Sequence, residues 1–250
     1  MKEKKAPLLF RGLKAAVKVV YPKIRTEGTE NLPGEPCLIV GNHAQLHGPI
    51  ACELHFPIPR YTWCIAQMMN RKELPAYAYE DFWSKKPGSV RWLFKIVAHL
   101  MARPAAYILR NGNTIGVYHD HRVMTTFRET LRVLQDGHSV VIFPECYDKH
   151  NPIVYQFQEG FVDVARLYYK KTGKELQFVP LYVAPKLHKM VLGKPIAYCS
   201  ANPAAEERKR VCTYLMDAVT ELAVSQPEHI VVPYPNLPKK EYPRNVLPKE

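Results

Sequence analysis

An α/β fold with a mainly parallel central sheet flanked by helices is what this sequence predicts. Short apolar runs that read as buried strands are separated by longer stretches of helical periodicity, the pattern of a parallel sheet with covered faces. The chain of 250 residues is also 47% hydrophobic and only 23% charged, enough to bury a sizeable core without disulfides or a structural metal.

The elements follow in chain order. Between Pro7 and Pro22, Arg11, Lys14 and Lys18 fall on one helical stripe and Leu9, Phe10, Leu13, Val17 and Val20 largely on the other side, a basic amphipathic helix. Its two readings are a helix lying in a membrane interface and a terminal helix packed on its own domain. After the turn-rich residues 31–36, Cys37 to Val40 reads as a short buried strand that stops at Gly41, Asn42 and His43. An amphipathic stretch over 49–56, a strand over 61–65, a helix over 90–101 and a further strand over 106–109 come next. Residues 115–118 suit a strand or an extended loop. The second half alternates more regularly: a helix over 122–135, a strand over 139–143, a helix over 161–171 stopped by Gly173, strands over 177–183 and 190–192, and a helix over 203–224. Three segments result: the amphipathic helix within 1–24, an α/β domain over 25–225, and a tail over 226–250. The tail is rich in Pro and Lys, and is expected to be irregular, lying on the domain or disordered.

Charge and cysteine content narrow the function classes. Lys and Arg outnumber Asp and Glu by 35 to 23, a net charge of +12 that favours an anionic partner such as a lipid surface or a phosphorylated substrate. The positive charge is dispersed and no DNA- or RNA-binding motif is present, so nucleic acid is not expected as a partner. The six cysteines show no paired spacing and read as reduced thiols. No apolar run approaches the roughly 20 residues that span a bilayer, and no signal peptide is expected. The expected location is therefore peripheral, on the cytoplasmic face of a membrane.

In open α/β sheets ligands gather at the carboxyl ends of strands, which directs attention to two places. The strand ending at Val40 leads into a loop bearing Asn42, His43 and His47; the strand ending at Phe143 delivers Pro144 and Glu145. Histidine is a natural general base there, because its ordinary pKa of about 6.5 needs little adjustment near neutrality. Zinc is a weak alternative, since His43 and His47, or His119 and His121, come without a His-Glu-x-x-His pattern. Serine hydrolysis is weaker still, as no Gly-x-Ser-x-Gly elbow occurs.

The order of these segments over about residues 10–225 resembles the PlsC-type lysophosphatidic acid and lysophospholipid acyltransferases. Their Asn-His-x-x-x-x-Asp block is matched by Asn42-His43 through Gly48, and their Phe-Pro-Glu-Gly-Thr-Arg block by Phe143-Pro-Glu through Asp148. Phe157 to Gly160 and Phe178-Val-Pro match two further features, and Gly116 to Arg122 approximates the remaining block. The resemblance implies transfer of an acyl group from acyl-CoA or acyl-carrier protein to the hydroxyl of a lipid acceptor, with His43 as base, His47 assisting it, and no bound cofactor or metal. It implies substrate contacts at Asn42, Pro144, Glu145 and Gly160, with backbone N–H groups within 42–49 or 180–184 for the oxyanion.

Three positions depart from the family pattern. Gly48 stands where the motif has Asp, with Glu53, Asp120 and Asp148 as candidate replacements in space. Asp148 stands where it has Arg, which leaves Lys149, His119, Arg122 or Lys194 to hold an anionic head group, or an acceptor without phosphate. The remaining block has His119, with Arg122 nearby, for its Arg. The missing Asp and Arg also frame the alternative, a related fold that binds lipid or a partner protein without chemistry.

Overall fold

In the computed structural model, which describes residues 7–83 and 87–248, the chain orders its elements as follows. α1 (Leu8–Val20), β1 (Arg25–Glu27), β2 (Leu38–Gly41), α2 (His47–His55), β3 (Arg60–Ile65), α3 (Ala66–Met69), α4 (Leu74–Trp83), α5 (Arg91–Asn111) and β4 (Thr114–Val117) make the first half. α6 (Val123–Gln135), β5 (Ser139–Ile142), β6 (Glu145–Lys149), β7 (Tyr155–Phe157), α7 (Asp163–Thr172), β8 (Gln177–Ala184), β9 (Lys189–Leu192), β10 (Ile196–Ala197) and α8 (Ala204–Val224) make the second. The lysine-rich opening over 1–6 and the last two residues of the tail lie outside the described ones. Compactness divides the chain into two units, Met1–Tyr21 with Thr62–Glu129 and Pro22–Tyr61 with Thr130–Glu250.

The fold class is the expected one, a mainly parallel sheet flanked by helices. In the larger unit β2 lies between β5 and β8 and runs parallel to both, with Val40 opposite Ile142 and Gly41 opposite Leu181. β9 and β10 are antiparallel to β8, and β1 extends the edge parallel to β9. β2 and β5 are buried along their whole length, which is why their sequences are uninterrupted apolar runs instead of alternating ones. One cover is α8, whose Val211, Leu215, Val219 and Ala223 are buried at helical spacing, and Phe161 packs edge-on against Phe178 of β8 at 6.0 Å. α7 ends where expected, at Gly173 with φ of 72°, a left-handed C-cap that glycine adopts without steric cost.

The smaller unit pairs β3 with β4 in parallel and is otherwise helical. One expectation fails here: residues 106–109 are helix, not strand. α5 runs unbroken from Arg91 to Asn111, and Ala98, Ala102 and Ala106 form a buried row at a spacing of four that carries through Pro104. A four-residue apolar run is compatible with a buried helix turn as well as with a strand, and the alanine row decides between them. Among the described residues, no helix is long and apolar enough to cross a membrane.

Candidate active site

The site is built where β2 ends. Gly41 lets two strands approach closely, since a Cβ on it would collide with the carbonyl oxygen of Leu181 on β8. The next residue locks the approach: Asn42, buried, donates from Nδ2 to the Val183 carbonyl at 3.1 Å and accepts the Val183 N–H at 2.7 Å. His43 then leaves the sheet with its own N–H donated to Glu145 Oε2 at 2.6 Å. The other Glu145 oxygen accepts the Tyr155 N–H at 3.1 Å, so the buried carboxylate ties the loop after β2 to the β6–β7 hairpin. Burial lifts the Glu145 carboxyl to about 7, and these two N–H groups oppose that rise.

The loop itself is a tight left-handed turn. Ala44 and Gln45 have φ of 46° and 55°, a region non-glycine residues enter at a cost of order 1 kcal/mol or more each. The turn closes through His47 N–H to Ala44 O at 3.1 Å and Gly48 N–H to His43 O at 3.1 Å. It curls the Gln45 carbonyl back onto Nδ1 of the His43 ring. A carbonyl only accepts, so Nδ1 carries the proton and Nε2 the lone pair. The ring lies between Phe143, 5.4 Å away edge-on, and Tyr234, 5.8 Å away. Burial depresses the His43 pKa, partly offset by the Gln45 bond, and keeps the imidazole neutral near pH 7.

Gly48, at the motif's Asp position, is closed to any side chain in this loop. A Cβ there would stand 2.6 Å from the His43 carbonyl oxygen and 2.9 Å from the Phe143 ring. The acids named as replacements do other things. Glu53 pairs with buried Arg60 at 2.8 Å, and Asp120 is held by Arg122 at 2.7 Å. Asp148 is exposed on β6.

The predicted site residues divide between the two units. Asn42, His43, His47, Pro144 and Glu145 come together at the carboxyl ends of β2 and β5 in the larger unit. Lys149 belongs to the same unit but lies four residues along β6, about 13 Å of strand away from Glu145. Gly160 is exposed in the turn before α7, with open space where a side chain would stand. His119 and Arg122 are exposed in the smaller unit, where the guanidinium of Arg122 also lies over the Tyr118 ring at 4.4 Å. Trp83 stacks on Phe94 at 5.6 Å and Lys95 sits over Tyr79, while Trp92 is exposed.

Three contributors escaped the sequence reading. Lys186, just past the carboxyl end of β8, is near enough to push the His47 pKa down, after burial as the larger cause. A cation at a strand end was a usable signal. Tyr234 and Tyr242 come from the C-terminal segment, and only the fold brings them here. Among the described residues no three His, Cys, Asp or Glu side chains gather as a metal site. All six cysteines are free; burial raises Cys37 to about 11 and Cys52, Cys64 and Cys212 to about 12, so these four are unreactive thiols.

A neutral histidine held on a loop at the carboxyl edge of a mainly parallel sheet defines an α/β protein equipped for acid–base chemistry. A family model described as Acyltransferase matches residues 23–184, and the chain belongs to that family. Its fold is similar to the crystal structure of PlsC, the 1-acyl-sn-glycerophosphate (LPA) acyltransferase of Thermotoga maritima. The two share 16% identity and a TM-score of 0.51, over 88% of this chain and 80% of that one. No curated protein matches the chain in sequence.

Proposed function

We propose that this acyltransferase moves a fatty acyl group from the thioester of acyl-CoA or an acyl-carrier protein to the hydroxyl of a lysophospholipid or related lipid, with His43 as general base. The observation that carries the reading is the Gln45 carbonyl on Nδ1, which presents Nε2 as a neutral acceptor of protons. Nε2 takes the proton of the acceptor hydroxyl as its oxygen attacks the thioester carbonyl. The resulting oxyanion collapses, the C–S bond breaks, and the departing thiolate takes the proton back from the imidazolium. The N–H groups of Val183, His43, His47 and Gly48 are already donated, so the oxyanion falls to the remaining amides of the loop.

Asn42 and Glu145 serve this step by fixing the loop, while His47 and Lys186 offer polar and cationic contacts for an anionic head group at the same strand ends. The lipid acceptor is supported by family membership and by the activity of the Thermotoga maritima enzyme of similar fold. Attachment to a lipid surface, peripherally and on the cytoplasmic side, is part of the proposal. It is supported by two helices of the smaller unit. α1 exposes Leu8, Leu9, Val19 and Val20, and α5 exposes Trp92, Leu93, Ile96 and Leu100, each beside Lys and Arg.

The test is acyl transfer by wild type and His43→Ala from labelled acyl-CoA and acyl-carrier protein to a panel of lyso-lipids, phosphate-free ones included. Transfer that disappears in His43→Ala supports the reading and names donor and acceptor. Wild type inactive on every pair favours the alternative that the Asp-to-Gly48 change frames, a fold that binds lipid or protein without chemistry.

A further inference from the structure

The chain after α8 folds back along the larger unit as an ordered strap. Asn245, buried, is its clasp: Nδ2 donates to the carbonyls of Ala223 at 2.8 Å, Gln226 at 3.1 Å and Pro227 at 3.3 Å, and Oδ1 accepts the His229 N–H at 2.7 Å. His229, also buried, shares a 2.7 Å hydrogen bond with Tyr182 of β8, next to the Val183 that anchors Asn42. A bond from Val231 N–H to Pro243 O at 2.8 Å closes the two arms of the strap on each other. Prolines at 227, 233, 235, 238 and 243 restrict the backbone between these fastenings and lower the entropy lost in ordering it.

What the strap touches is the loop that carries His43. Tyr234 packs on the His43 ring and on Tyr147 and Tyr155, at 5.8, 5.5 and 6.2 Å between ring centres. The Gln45 side chain donates from Nε2 to the Tyr242 hydroxyl at 2.8 Å and reaches the Pro235 carbonyl at 3.4 Å. Gln45 is therefore held at both ends: its side chain by the strap, its carbonyl on His43. Its left-handed backbone persists only because such neighbours over-determine it.

We propose that the strap is a positioning device for His43: Tyr242, acting through Gln45, and Tyr234, acting on the ring, hold the turn in which a main-chain carbonyl takes the orienting role of the carboxylate excluded at Gly48. The proposal rests on His43 being the base. A carbonyl fixes the tautomer and the ring direction as a carboxylate does, and without a formal charge it depends more heavily on being held in place.

The test pairs Tyr242→Phe, Gln45→Leu and the double variant in the full-length protein. Each single change should lower kcat about five- to tenfold with KM within about twofold, the size of one lost hydrogen bond to a positioned group. The double variant should be no worse than the poorer single one, because both cut the same link. Nitrogen NMR of His43 reads the positioning without any substrate: wild type should show a protonated Nδ1, and both variants a larger share of the Nε2–H tautomer. Unchanged tautomer and kcat in the variants, beside an active wild type that needs His43, would overturn the strap proposal and leave the catalytic reading standing. Transfer that survives His43→Ala would overturn the catalytic reading instead, and the NMR result would still decide whether the strap sets the ring. Asn245→Ala, which opens the clasp, is the stronger perturbation; Tyr242→Phe removes one hydroxyl oxygen and keeps the test valid if that variant fails to fold.

Discussion

The loop after β2 and the exposed faces of α1 and α5 are built on opposite principles. Around His43 nearly every polar group is committed: Asn42 to Val183, His43 N–H to Glu145, Glu145 to Tyr155, the ring to Gln45 and Gln45 to Tyr242. In α1 and α5, large apolar side chains stand in solvent, with Leu8, Val19 and Val20 each above 80% exposed and Leu100 at 71%. The first arrangement holds one geometry at the cost of tolerating little change. The second tolerates substitution and is unsatisfied without an apolar partner. The difference separates where chemistry needs rigidity from where recognition needs only a surface.

The packed loop is most sensitive at Gly41. Gly41→Ala forces β2 away from β8 directly beneath Asn42, and should cost upwards of about 3 kcal/mol in denaturant unfolding. An alanine protein of unchanged stability would mean that the strands are not in contact there.

Glu145→Gln comes next. The two N–H groups go to different carboxylate oxygens, and the amide puts a donor NH2 where one of these stood, so the His43 or Tyr155 N–H loses its acceptor, at about 1–3 kcal/mol. The pH dependence sharpens the point. A carboxyl raised to about 7 in the folded protein adds stability that is complete below its ordinary value and is lost as pH rises through about 7. The stability gap between wild type and Glu145→Gln should therefore narrow between pH 4.5 and 7.5, and a gap that widens would contradict the burial of this group.

The smallest effect on folding is expected from Ile96→Glu and Leu100→Glu, both exposed on α5, within about 0.5 kcal/mol. Their effect should fall on sedimentation with anionic vesicles instead, weakening it about tenfold per residue if these side chains enter the interface. Equal binding by wild type and variants would remove α5 from the proposed lipid surface.

Much of this was legible in the sequence, for reasons that differ by element. β2, β5 and β8 announce themselves because strands covered on both faces are written in uninterrupted apolar residues. α8 shows because one helical face is buried at regular spacing. The hairpin of β6 and β7 escaped, since Glu145–Lys149 is largely polar and exposed and carries no alternation to read. α4 and the end of α5 escaped because short apolar runs do not distinguish helix from strand. At the site, His43, Asn42 and Glu145 could be picked out as polar residues directly following buried strands. The acceptor for Nδ1 could not, because it is a main-chain carbonyl two residues on, and its placement depends on a turn conformation and on Tyr242, 197 positions away.

The central claim, that His43 is the base of acyl transfer, is tested most directly by His43→Gln in single-turnover acyl transfer, with stability measured on the same preparation. The account predicts a rate lower by about 10²–10⁴-fold, with an unfolding free energy within about 1 kcal/mol of wild type. A variant that transfers acyl groups within about twofold of the wild-type rate would contradict it.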